Sequence, residues 1–187
     1  MFAEFEKTFV APAPGGVIAQ YAPVIEEIVP GFPNKDANNI DDRRRSLERT
    51  AGTMDAVPAR AELRFAALLA DMEKTWGNGI ARSSLKALKA PRKLIDRVCA
   101  LLDAIDEKAS ACPLHIRLLA AAHGGDLDFV RELTTLQQAL GADDDAEDGR
   151  STRIQEAIDE VERYASALKR SDLAIGGGDL IQAGMAP

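Results

Sequence analysis

Six basic side chains crowd the stretch 82–97: Arg82, Lys86, Lys89, Arg92, Lys93 and Arg97. Positions 82, 86, 89 and 93 follow helical spacing, so one helix would bring them to one face, although Pro91 interrupts the run. Lysine and arginine gathered on a face can hold phosphate groups. The rest of the chain is acidic, with a formal net charge of -7 and a pI of about 4.9. That balance argues against non-specific nucleic-acid binding by the whole surface and leaves this local face as the candidate. Few aromatic residues interleave with the cluster, so phosphate contacts are expected and base stacking is not. The same pattern also suits a solvated face of a helical bundle.

Other chemistry is scarce. The chain has two histidines, His115 and His123, too few for a site built on several imidazoles. Its two cysteines, Cys99 and Cys112, have no framework spacing. Both read as reduced thiols in helical, apolar context, as in a cytoplasmic protein. The acidic stretch 143–149 loosely follows a calcium loop through Asp144, Asp148 and Gly149. Its third position is Ala146 and the closing glutamate is displaced, so it reads as a solvated linker. Gly176-Gly177-Gly178 lacks the preceding strand and the Lys-Ser/Thr ending of a phosphate loop and reads as a turn between short helices. No metal and no cofactor is expected.

The elements that must position these residues are helices. Hydrophobic residues make up 46% and aromatics 5%, an Ala- and Leu-rich balance that favours packed helices over sheets. The most apolar run is 63–71, with Leu63, Ala66, Ala67 and Ala70 at helical spacing and Phe65, Leu68 and Leu69 widening the stripe. A helix apolar on nearly all sides belongs at the centre of a bundle. Around it the pattern predicts helices at 2–10, 16–22, 23–28, 43–57, 60–74, 80–89, 91–105, 113–123, 126–140 and 151–168. Ala11 to Gly16 ends the first of these. Stretch 33–42 is polar and reads as a loop. Leu114, Ile116, Leu118 and Leu119 supply the apolar side of helix 113–123, and His123-Gly124-Gly125 closes it. The expected fold is all-α, a bundle of roughly eight to ten helices with no β-sheet. No apolar run approaches the roughly 20 residues that span a bilayer, and no membrane partner is expected. The N-terminus carries no signal-peptide pattern.

Three stretches carry a family likeness. Leu63 to Asp71 resembles the signature helix of the HD-type domain in bacterial tRNA nucleotidyltransferases, the CCA-adding and poly(A)-polymerase-like enzymes. That helix ends in His-Asp in the family and in Ala70-Asp71 here. Glu48-Arg49-Thr50 stands where the family has Glu-His-Thr, and the spacing from Arg49 to Ala70 matches that between the family's first two histidines. A further family histidine falls near Ile105. The stretch Leu168 to Pro187 resembles the family's tail motif, with Asp172, Gly176, Gly177, Asp179 and Gly184 in it and Gly176 in place of an asparagine. Glu4-Phe5-Glu6-Lys7, Pro14-Gly15 and the run Val24 to Pro30 resemble the second part of the family's neck.

The resemblance implies neck-like helices at 1–32, a degenerate HD-like body at 33–141 and tail helices at 142–187. It implies an HD site that has lost its metal-ligating histidines, with Asp71 left to accept from an N–H or an arginine. A nucleotidyltransferase head needs a Gly-Ser turn and paired aspartates for two magnesium ions. That pattern does not occur, so this polypeptide alone is expected to add no nucleotides. The chain stops at Pro187 inside the tail motif, which points to a longer gene product or a decayed terminus. The leading expectation is a non-catalytic body and tail that holds tRNA or another structured RNA, served by a separate nucleotidyltransferase head. The alternatives are a residual HD-type metal-dependent phosphohydrolase and a structural helical module that binds protein.

Overall fold

A computed structural model describes residues 2–29, 32, 40–77, 79–141, 149–164, 168 and 182. Among them the chain forms nine helices and no strand, the all-α bundle expected from composition. They are α1 (Phe2–Phe9), α2 (Pro14–Ile28), α3 (Ile40–Ala56), α4 (Ala61–Trp76), α5 (Ile80–Ala87), α6 (Arg92–Asp103), α7 (Pro113–Ala122), α8 (Leu127–Leu140) and α9 (Arg150–Arg163). The chain divides into two compact units, residues 1–107 with 135–146, and residues 108–134 with 147–187.

In the first unit α4 is the centre. It packs against α1, α3, α5 and α6, and it buries Leu63, Phe65, Ala66, Ala67, Leu68, Leu69 and Met72. Phe2 and Phe9 of α1 bracket the Phe65 ring at 5.7 and 5.2 Å between centroids, and Phe5 meets Phe9 edge-on at 5.3 Å. Such pairs are worth about 0.5–1.5 kcal/mol each beyond the area they bury.

Helices α2 and α3 pack against each other in this unit. The stripe that α3 buries is small and polar, with Ser46, Thr50 and Thr53 above the large Met54. Small side chains let two backbones approach, and Gly15 makes the approach possible. A Cβ built on it would lie 2.5 Å from the Ala51 carbonyl oxygen. Its N–H donates to Asp55 Oδ1 at 2.8 Å, so the end of α3 caps the start of α2. Behind Asp55 stands Arg64, 4% exposed, whose Nε donates to the Pro58 carbonyl at 3.1 Å and whose Nη1 lies 4.0 Å from Asp55 Oδ1. Burial pushes the Arg64 guanidinium below its ordinary value, and Asp55 works against that shift.

Several expectations are corrected here. The stretch 14–28 is two helical segments joined across a kink, close to the expected division at 22/23, but it starts at Pro14 rather than Gly16, because proline is pre-set for a first helical turn. The cost of Pro23 inside it appears as a kink at Tyr21 (φ -105°, ψ 18°). Helix α3 opens at Ile40, inside the expected loop, with Asp41 and Asp42 in the dipole-favoured first turn. Helix α9 starts at Arg150 behind a left-handed Gly149, and its described part ends at Arg163. The acidic stretch before Gly149 lies outside the described residues.

Ser84 on α5 is fully buried, and its hydroxyl has no hydrogen-bond partner among the described residues. A buried hydroxyl left unpaired costs about 1–3 kcal/mol. Ser84→Ala is therefore expected to raise the unfolding free energy by about 1 kcal/mol in a urea titration.

In the second unit α7 packs on α9, which buries Ala157, Ile158 and Val161. Helix α7 closes as expected. Gly125 N–H reaches the Ala120 carbonyl at 2.7 Å and Gly124 N–H the Ala121 carbonyl at 3.2 Å, with both glycines left-handed. Asp126 Oδ1 accepts from the Phe129 N–H at 2.9 Å and caps α8. The apolar side of α7 is different from expectation. Ile116, Leu119 and Ala120 are buried, whereas Leu114 and Leu118 are each 61% exposed. A helix apolar on most sides does not announce which side is covered.

Candidate functional site

Helices α5 and α6 make a hairpin, and it carries all six basic residues. Helix α5 ends at Ala87, before Lys89, so the single helical face expected from the spacing is replaced by the two arms and tip of a turn. The turn is a Schellman closure. Lys89 N–H reaches the Lys86 carbonyl and Ala90 N–H the Leu85 carbonyl, both at 2.9 Å. This closure requires a left-handed residue, a place where glycine is usual, and Lys89 occupies it at φ 59°. Pro91 then leads α6 out. Leu85 and Leu88 on one arm and Leu94, Ile95 and Val98 on the other are buried and fix the hairpin.

The start of α5 has no side-chain cap of its own. Glu73 of α4 supplies it from outside, accepting from Gly79 N–H at 2.6 Å with Oε1 and from Ala81 N–H at 2.8 Å with Oε2. The left-handed Gly77 and Gly79 bring the chain round to meet it. A helix start without Ser, Thr, Asp or Asn, a few residues past an acidic residue, is the signal that could have found Glu73.

The basic side chains fall into two sets. Arg82 Nη1 lies 3.1 Å from Asp96 Oδ1, and Arg92 Nε lies 3.5 Å from Asp96 Oδ2. The hydrogen bond that Arg82 donates to Asp96 holds its guanidinium above its ordinary value. Lys86, Lys89 and Lys93 are exposed and have no ion-pair partner among the described residues. Arg97 is half-buried and already engaged. On the α6 arm the buried Cys99 thiol is pushed up by burial, with Arg82 opposing the shift. Cys99 is the buried thiol expected. Cys112 is not in apolar helical context: it is exposed at the N-cap of α7.

A second constellation lies between α3 and α4. Arg49 of α3 and Asp71 of α4 meet in space. Arg49 Nε and Nη2 donate to Asp71 Oδ2 at 3.0 and 2.7 Å, and Ser46 Oγ donates to the same oxygen at 3.2 Å. Ala70 precedes the pair, half-buried on α4. Ile105 lies past the end of α6, where its carbonyl accepts from Gln137 Nε2 at 2.9 Å. The residues present do not fit a metal. The carboxylate oxygen a cation would need already carries a guanidinium and a hydroxyl. Among the described residues, no group of three or more His, Cys, Asp and Glu side chains is placed to hold an ion.

The two histidines serve structure. His115 Nδ1 accepts from Ser110 N–H at 3.2 Å, and His123 stacks on Phe129 with centroids 4.2 Å apart. In the same unit Arg131 gathers Asp159 at 3.0 Å and Glu162 at 2.7 Å. The hydrogen bond from Arg131 holds the Asp159 carboxyl below its ordinary range. The other basic helix, α3, is neutralised in place. Arg43 pairs with Glu26, Arg44 with Glu48 and Arg45 with Asp42. The tail positions Asp172, Gly176, Gly177, Asp179 and Gly184 lie outside the described residues.

No family model, curated protein or solved structure matches this chain.

Proposed function

We propose that this chain is a non-catalytic helical body that holds structured RNA, tRNA first among them, through the α5–α6 hairpin. One observation carries the reading: Lys86, Lys89 and Lys93 stand exposed and unneutralised on one hairpin of an acidic protein, with Lys89 at its left-handed tip. A non-glycine residue there costs about 1 kcal/mol or more. A cation placed where glycine would be easier, beside two others, supports a surface selected for charge. The likeness to the neck, body and tail of CCA-adding enzymes suggests the ligand class, and a nucleotidyltransferase head on another segment or polypeptide would supply the chemistry. Among the described residues no helix is long and apolar enough to cross a membrane, which suits a cytoplasmic RNA-holding role. A metal-dependent phosphohydrolase has no contact in its favour. The protein-binding module has one, the outward Leu114 and Leu118 of α7.

The test is fluorescence anisotropy with a tRNA transcript at several salt concentrations. Each phosphate contact releases counterions, so affinity should fall steeply with salt, and binding should be about micromolar or weaker at physiological salt. Replacing Arg82, Lys86, Lys89 and Lys93 together by Ala should flatten the slope by up to roughly four phosphate equivalents for any tRNA sequence. Lys89→Gly separates the two demands on the tip. It should stabilise the fold by about 1 kcal/mol while weakening RNA binding. Identical curves for the quadruple variant and the parent would place RNA binding elsewhere. No binding at low salt would remove the RNA reading and leave the protein-binding module.

A further inference from the structure

We infer that Asp96 is an affinity-limiting residue of this surface: its one carboxylate binds the Arg82 guanidinium and offsets the charge of Arg92, so that only the three lysines meet phosphate without a neighbouring carboxylate. The inference rests on the RNA-holding reading and assigns its regulation to one carboxylate. Asp96 stands on α6 with its side chain 50% exposed, at the foot of the hairpin's open face. One of its oxygens takes Arg82 from α5 and the other takes Arg92 one turn earlier on α6. The two arginine side chains are 46% and 94% exposed, so both can reach a ligand once released. Charge counting makes the role plain. Six basic groups become three open ones, because one carboxylate engages two guanidiniums and Arg97 is engaged besides. A phosphate approaching Arg82 must displace Asp96, and one approaching the 94% exposed Arg92 meets the Asp96 charge beside it. An exposed ion pair is weak enough to be displaced by phosphate, yet its charge subtracts from every encounter. The arrangement also ties α5 to α6, so Arg82 is a structural link as well as a reserve cation.

The experiment compares tRNA titrations of the full chain, Asp96→Asn and Glu27→Gln across a salt series. Glu27→Gln removes the same charge from an exposed site on α2 and controls for net charge. Asparagine keeps an acceptor for Arg82, so the hairpin should remain closed, and a far-UV thermal melt checks that. Asp96→Asn is expected to tighten binding about two- to fivefold, the range set by the worth of an exposed ion pair. Its log–log salt slope should steepen by about one phosphate equivalent, while Glu27→Gln stays near the parent. If the parent binds and Asp96→Asn binds equally or more weakly, the inference is overturned and the RNA reading stands. Equal gains from Glu27→Gln and Asp96→Asn also overturn it, because bulk charge then explains the effect. If none of the three proteins binds, both fall.

Discussion

Leu68→Asp leaves the chain without a cooperative fold. Leu68 is 1% exposed at the middle of α4, the helix that α1, α3, α5 and α6 all touch. A carboxylate there has no partner to pair with, and its burial or neutralisation costs several kcal/mol. The total stability of such a protein is only about 5–15 kcal/mol. Far-UV circular dichroism through a urea titration is the measurement. The variant should show reduced helicity and no sigmoidal transition. Leu68→Ala, which removes packing but introduces no charge, should keep a transition and lose about 2–5 kcal/mol. A sharp, native-like melt from Leu68→Asp would show that α4 is not the centre of the first unit.

The second large effect is expected at Gly15. A methyl group there meets the Ala51 carbonyl oxygen and Asp55 Oδ2, both at 2.5 Å. A side-chain tip can turn aside, but a helix carbonyl moves only with its helix. Gly15→Ala should therefore separate α2 from α3 and strip the Asp55 cap from the α2 N-terminus, lowering stability by about 3 kcal/mol. The neighbouring glycine is the control. A Cβ on Gly16 meets nothing within 4 Å, so Gly16→Ala should be neutral or stabilise by up to about 1 kcal/mol. Differential scanning calorimetry of the two variants should move the melting temperature in opposite directions.

These two sites differ in how far they could be read in advance. Leu68 was legible because a helix that is apolar nearly all round must lie inside, whatever surrounds it. That Asp71 would accept from an N–H or an arginine was expected, though not which arginine, and the all-α class was legible through composition. Gly15 was not, since a close backbone approach leaves no trace in periodicity, and beside Pro14 it reads as an ordinary turn. Arg64 was hidden in the same way: an arginine in an apolar run looks like an outward residue until a carbonyl and a carboxylate are seen waiting for it. The basic hairpin was half legible. Residue types told where the charge lies. The αL closure at Lys89 and the engagement of Arg82 and Arg92 by Asp96 depend on the path of the chain between two helices.

The Arg49–Asp71 pair sets how easily this locus could acquire a metal. Both guanidinium nitrogens in the contact address a single carboxylate oxygen, and Ser46 adds a third donor. Suppose a histidine were placed at position 70 alone. An incoming divalent cation would meet a fixed positive charge already seated on the neighbouring carboxylate, and repulsion would offset the new ligand's benefit. Position 49 would have to change as well, and that change by itself strands Asp71 without its guanidinium. The arginine acts as a latch: by stabilising the carboxylate it closes the one-residue-at-a-time route to a metal site here.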